Sequence, residues 1–419
     1  MRKPEFDEPI VVTGYGAVTP LGLNADESWQ NIIDGKSGIV PLPPELQNQP
    51  YDVHVIAPVK DYNDELLISE TGVIKKDIRR IHLSGKYALL AANEAINRAG
   101  LTQVGSIKLA NPEINPERLG VNIGSGMAGA ESLVEIYETL KAGRLPTPPQ
   151  TFVALPERVA SVIARNIGAQ GPSGSMVGAC ATGNMSLISA IRTLRLGESD
   201  IMVAGSVEAQ STIYALGMFA GLTALDKSSD PALASRPFSR TEEGFVIGEG
   251  GGILVLERES HAKKRGAIIL AVVAGYGETN DAATHDTMAT GIGSRFALKR
   301  AVDMAGDFDS VYINAHATGT GGDKIELAKA IKPVIPAEKL VAVSSTKGAT
   351  GHMLGGAGSA EAVFSIKVLE TGILPPTLKL EDPIDEAEGI NLVPNAAQFN
   401  DSIDMVFSNS FGFGGINSV

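Results

Sequence analysis

The chain has 419 residues, 43% of them hydrophobic and 20% charged, with a net charge of −13 and one cysteine, Cys180. That apolar share excludes a disordered chain, and a lone cysteine excludes an internal disulfide or a Cys-rich zinc or iron–sulfur site. The acidic balance argues against a nucleic-acid binder.

The start, MRKPEFDEPIVVTG, holds no apolar run before a small-residue cleavage site, so no secretory signal is expected. No segment approaches the roughly 18 consecutive apolar residues of a membrane span. A cytoplasmic protein without membrane contact is expected.

Ile10 to Thr13 reads as a strand buried on both faces, and it runs into Gly14-Tyr15-Gly16. Residues 41–58 are Pro-rich and predict a surface excursion. A helix is predicted over 86–99, a buried strand over 119–123 and a helix over 131–142. Residues 145–150 carry three prolines and read as a loop. Further strands are predicted over 201–204, 253–256, 268–273, 310–313, 340–343 and 405–407, with a loop over 226–237. Alternating strands and helices of this kind indicate an α/β fold. The run Val272-Val273-Ala274-Gly275-Tyr276-Gly277 echoes Val11 to Gly16. The hexapeptide alone fits a duplicated half-domain or a coincidence of strand ends.

The most informative segment surrounds Cys180. A short apolar stretch enters Gly178-Ala179-Cys180-Ala181, and a nearly all-apolar helix follows to about Leu196, stopped by Gly197. By composition a single cysteine is either an inert packed thiol or a nucleophile. At the first turn of a buried helix, backbone N–H groups and the macrodipole stabilise a thiolate and should lower its pKa. A sharp strand-to-helix turn also presents the side chain outward, as a nucleophile elbow does.

Two histidines follow strands in Gly/Thr-rich loops. His316 lies in Asn314-Ala315-His316-Ala317-Thr318-Gly319-Thr320. His352 lies five residues after Lys347 and just before a helix reaching about Thr371. Singly, each is more often structural; as a pair in such loops they point to a site. Near the end, Asn409-Ser410-Phe411-Gly412-Phe413-Gly414-Gly415 is either a tight turn or an aromatic lid. Other motifs are decoys. Gly14-Tyr15-Gly16 lacks the third glycine of a dinucleotide fingerprint, and no P-loop, zinc-protease or EF-hand signature occurs. His54, His82 and His261 read as surface positions.

Taken together, GACATG, NAHATGT, SSTKGATGH and NSFGFGG, in this order, resemble the condensing enzymes of the thiolase superfamily. They are most similar to elongating β-ketoacyl-acyl-carrier-protein synthases of the II type. The resemblance spans nearly the whole chain and includes ASRPF and GFVIGEGGGILVLE. It implies a thiolase-like α/β fold of duplicated half-domains in five layers, αβαβα. The halves would be residues 1–260, with the nucleophile, and 261–419, with the histidine pair, forming one compact catalytic unit. A homodimer is also implied.

By the same resemblance Cys180 is the acyl-accepting nucleophile and His316 and His352 are the catalytic pair. Lys347 and Glu361 match a supporting ion pair, and Phe413 an aromatic gate. Thr318 and Thr320 match contacts to the pantetheine arm, and Met127 and Phe219 match the acyl pocket. Lys76, Arg79 and Arg80 match the patch that receives the acyl carrier protein, although a solvated helix face would look alike. The implied reaction is decarboxylative condensation, with no cofactor and no metal. The alternatives are a non-catalytic, chain-length-setting partner subunit, against which Cys180 and both histidines argue, and a thiolase or an initiating synthase. A thiolase would want a second cysteine. The chain departs from the family at Ala317, where Gly is usual, at Ser239, where Asp is usual, and at Gly321-Gly322, where a Pro-containing turn is usual. It stops at Val419, where family members finish a closing strand, so a trimmed chain is a further expectation.

Overall fold

The computed structural model describes residues 8–47, 49–103, 105–127, 129–283 and 289–419. Six strands build the larger sheet, in the order Ser173–Gly174, Leu119–Gly124, Ile201–Glu208, Gly250–Arg258, Ile10–Val18 and Ala271–Val273. Leu119–Gly124 runs parallel to both of its neighbours, and the remaining pairings are antiparallel. The four long strands are buried along their whole length, as their continuous apolar runs predict. The predicted run 268–273 is shorter: only Ala271–Val273 pairs, and Ile268 and Val272 stand exposed because this strand ends the sheet.

A second, parallel sheet has Val311–Asn314 between Leu340–Ser344 and Met405–Ser408. The helices Thr182–Arg195 and Ala357–Thr371 pack on each other, and the second touches strands of both sheets. Leu83–Arg98 and Arg158–Ile167 cover the outer face of the larger sheet. Ile292–Ala305 lies outside the other half, against the helical turn Glu326–Ile331. Helix, sheet, helix, sheet and helix make the five layers. The Pro-rich excursion closes on itself through a short hairpin, Val40–Pro41 with Val55–Ile56.

The echo between the two Gly-Tyr-Gly segments is structural, although Gly14 to Gly16 continue the strand Ile10–Val18 instead of ending it. A Cβ on Gly14 would stand 2.1 Å from the Ala95 carbonyl, and one on Gly16 would stand 2.2 Å from that of Ala91. On Gly275 and Gly277 the corresponding contacts are Ala301 at 2.2 Å and Ala297 at 2.0 Å. In each half, two glycines let a strand lie directly on helix backbone, at alanines four apart on one helix face. The recurrence of one packing device in both halves favours duplication over coincidence.

Candidate active site

Cys180 sits in a 3₁₀ turn, Ala179–Ala181, that feeds the helix Thr182–Arg195. Ala179 adopts φ +48°, a left-handed conformation strained for a residue with a Cβ. Two hydrogen bonds hold it there: the Thr182 Oγ1 hydroxyl donates to the Ala179 carbonyl (2.7 Å), and the Gly178 N–H donates to Thr182 Oγ1 (2.8 Å). The elbow aims the sulfur at His352, whose Nε2 lies 2.9 Å away. The two residues are 172 positions apart in the chain. The closing segment must approach closely: a Cβ on Gly412 would stand 2.9 Å from the Gly178 carbonyl and 3.2 Å from the Cys180 nitrogen. Gly412 therefore lets the strand Ser410–Gly412 lie across the Cys180 turn.

His316 and His352 face each other edge to face, with centroids 5.4 Å apart. Phe411 packs on His316 (5.7 Å) and Phe245 on His352 (5.1 Å). Both imidazoles are held well below their ordinary pKa, first by burial and then by the Lys347 ammonium. They are therefore neutral near pH 7. The Nδ1 atoms of both rings are buried without a hydrogen-bond partner, so a proton there would be orphaned. This favours the tautomer that carries hydrogen on Nε2.

The thiol departs from the sequence expectation. Burial pushes Cys180 up to about 12, against the opposing pull of Lys347 and of the backbone N–H groups of Phe413 and Cys180. Helix placement alone suggests a ready thiolate; the enclosing apolar wall reverses that, and the resting sulfur is a neutral thiol.

Lys347 and Glu361 form an ion pair in which both side chains are buried. Thr318 and Thr320 hydrogen-bond each other at 3.0 Å and line a cavity of about 550 Å³, together with Cys180, His316, His352 and Phe413. Met127 and Phe219 do not line this cavity. They pack in an apolar cluster with Phe413, and the Phe219 and Phe413 rings are 6.3 Å apart. Phe413 therefore stands between the open cavity and this apolar compartment. Lys76, Arg79 and Arg80 lie apart from the cavity, on and just after the short helix Lys75–Ile78. Lys76 and Arg79 are exposed and Arg80 is half-buried.

Three buried carboxylates were missed by the sequence reading. Asp323 accepts N–H groups from Phe238, Thr318 and Gly319 at 2.9–3.1 Å. Glu326 accepts from the backbones of His316 (3.0 Å) and Ala317 (2.9 Å) and from Asn409 Nδ2 (2.8 Å). The two pin the loop that carries His316, and Glu326 ties it to the Phe-Gly segment. Glu208 accepts from Ser125 Oγ (2.6 Å) and the Met127 N–H (3.2 Å), fixing the Met127 loop. A signal for Glu326 existed, since a lone acid between Ile325 and Leu327 is poorly placed for solvent. Two histidines read as surface positions are also tied down. His82 Nε2 contacts Ser132 Oγ at 3.0 Å, and His261 Nδ1 contacts the buried Glu257 at 2.8 Å.

Layers, elbow and facing histidines define a condensing enzyme of the thiolase-like class. Residues 7–262 match the β-ketoacyl synthase N-terminal domain and residues 270–381 its C-terminal domain. The chain belongs to the β-ketoacyl synthase family. A 3-oxoacyl-[acyl-carrier-protein] synthase 2 of Staphylococcus aureus is 37% identical over 98% of this chain and 97% of its own. A β-ketoacyl synthase crystal structure from Burkholderia phymatum superposes with a TM-score of 0.88 at 28% identity, covering 98% of both chains. A type II polyketide synthase acyl-carrier protein in complex with its ketosynthase, bound to the hexaketide, superposes at 0.84 with 30% identity and the same coverage. Among the described residues, no helix is long and apolar enough to cross a membrane.

Proposed function

We propose that the chain catalyses decarboxylative Claisen condensation between an acyl-carrier-protein thioester and malonyl-acyl-carrier-protein, in fatty-acid or related polyketide or polyene elongation. The observation that carries this reading is the 2.9 Å contact between the Cys180 sulfur and His352, with neutral His316 beside it.

In the first half-reaction Cys180 Sγ attacks the acyl carbonyl. The tetrahedral oxyanion is held by the backbone N–H groups of Cys180 and Phe413, which already point at the sulfur. The C–S bond to the carrier breaks, and the thiol proton ends on the departing pantetheine sulfur. Thr318 and Thr320 hold the pantetheine arm in the cavity. The acyl chain passes Phe413 toward Met127 and Phe219.

Malonyl carrier protein then binds. Loss of CO₂ leaves an enolate whose oxygen accepts hydrogen bonds from Nε2–H of His316 and His352. The enolate carbon attacks the acyl-Cys180 carbonyl, a C–C bond forms, and the C–S bond to Cys180 breaks. The released thiolate takes up one proton, which completes the cycle. Burial, aided by the Lys347 ammonium, keeps both histidines neutral, and neutral donors do not trap the enolate as a salt. No bond change is a redox step, so the reading calls for no cofactor.

The carrier protein, by this reading, meets Lys76, Arg79 and Arg80. The halves 1–260 and 261–419 work as one unit, since Cys180 and the histidines come from opposite halves. A homodimer is supported by the strand Ser173–Gly174, which pairs on one side only, and by exposed Leu133, Tyr137, Leu140 and Phe152. A cytoplasmic location suits carrier-dependent chemistry at a single unpaired cysteine. Intact-mass measurement after incubation with acyl carrier proteins of several chain lengths tests the reading. An acyl mass on Cys180, absent in Cys180→Ala, is expected; no adduct at any length would overturn it.

A further inference from the structure

We propose that the carrier protein docks on a two-helix cationic face, in which Arg158 and Arg165 of the helix Arg158–Ile167 join the cluster on Lys75–Ile78. This rests on the condensing-enzyme reading and adds residues to it.

The two helices meet through an ion pair, Arg165 Nη2 to Asp77 Oδ1 at 3.2 Å. Around that carboxylate the chain gathers six cations: Lys75, Lys76, Arg79, Arg80, Arg158 and Arg165. Among the described residues, Glu157 stands near Arg158 and Asp64 near Lys75, where Asp64 also pairs with Lys86. The cations are not balanced. Arg158 is held below its ordinary pKa first by burial and then by the neighbouring guanidinium of Arg165, with Asp77 pulling the other way and Arg80 and Glu157 contributing less. Its Nε is buried without a hydrogen-bond partner, and its guanidinium lies 5.8 Å from the Phe152 ring centroid, a rigid stacking surface.

Six crowded cations repel one another, and their gathering on one face stands out in a chain whose overall charge is −13. Crowding of one sign is relieved by a partner of the other sign. An acidic helical surface complements this face in charge. Ile74, 60% exposed and directly before Lys75, adds an apolar contact at the edge.

The test is steady-state kinetics with acyl-carrier-protein substrate across a salt series, on wild type, Lys76→Glu, Arg158→Glu/Arg165→Glu and Asp77→Asn. Reversing both arginines should raise KM for the carrier about tenfold and flatten its salt dependence, with kcat little changed. Asp77→Asn frees Arg165 and removes the central carboxylate, so its KM should fall. Thermal melts report whether each variant is folded. Unchanged KM and salt slope in the arginine variant, with a clear effect in Lys76→Glu, would confine docking to Lys75–Ile78 and overturn the inference. Loss of binding to phosphatidylglycerol vesicles at unchanged carrier KM would reassign the face to a lipid surface and equally overturn it. Failure of the underlying reading looks different. Wild type itself would then take no acyl group from the carrier, yet take one from an N-acetylcysteamine thioester.

Discussion

The Cys180 sulfur and the His352 Nε2 stand 2.9 Å apart in a wall that keeps both neutral. Activation therefore belongs to the substrate-bound state, when the oxyanion forms against two backbone N–H groups. The resting thiol should be slow toward iodoacetamide at pH 7. Its alkylation rate should rise about tenfold per pH unit through pH 9 and beyond, because its pKa is pushed up to about 12. A rate that levels off below pH 8, read by mass spectrometry on Cys180, would contradict the neutral resting thiol.

The histidines give a stability signature. Their folded pKa values lie below the unfolded value of about 6.5, so their contribution is fully present above pH 6.5 and is lost as pH falls below it. Each should cost about 1.4 kcal/mol per pH unit in that window. Glu208 and Glu326, each pushed up to about 7 by burial, act in the opposite sense between pH 7 and the ordinary carboxylate range. Comparing His352→Gln with wild type cancels these shared terms. The difference in unfolding free energy should move in favour of the variant by about 1.4 kcal/mol per unit below pH 6.5. A difference that ignores pH would mean His352 is not held neutral.

His316→Ala should separate the two half-reactions. Acylation of Cys180 uses the backbone oxyanion hole and should persist. Condensation loses one enolate donor and should slow by about 10²–10³. Equal loss in both steps, measured by acyl-enzyme formation and by product release, would show that His316 serves the first step as well.

Breaking the buried Lys347–Glu361 pair at one end leaves an uncompensated charge. Lys347→Met should cost about 3–5 kcal/mol in urea unfolding, and Lys347→Met/Glu361→Leu should cost less than the single change. A double variant as unstable as the sum of the singles would show that the two charges are not coupled.

Met127 packs with Phe219 and Phe413 in the apolar compartment behind the cavity. Met127→Ala should shift the accepted acyl chains toward greater length, since bulk removed from a pocket end adds room. An unchanged chain-length profile would remove Met127 from that end.

Much of this protein is determined locally and can be read from its sequence. Buried strands declare themselves by continuous β-branched runs, because both faces of a central strand are covered. The turn at Cys180 and the loops of His316 and His352 are marked by small residues, because close backbone approach admits little else. Even the two Gly-Tyr-Gly segments foretell a packing device that occurs twice. Tertiary structure alone decided the rest. Asp323 and Glu326 act on loop N–H groups that only the folded turn points at them. The protonation of Cys180 was misjudged from its helix, because the macrodipole is a local property and desolvation is not. The wall around the sulfur is assembled from Phe245, the segment Phe411 to Phe413 and His352, far apart in the chain, and their burial of the thiol outweighs the helix that carries it.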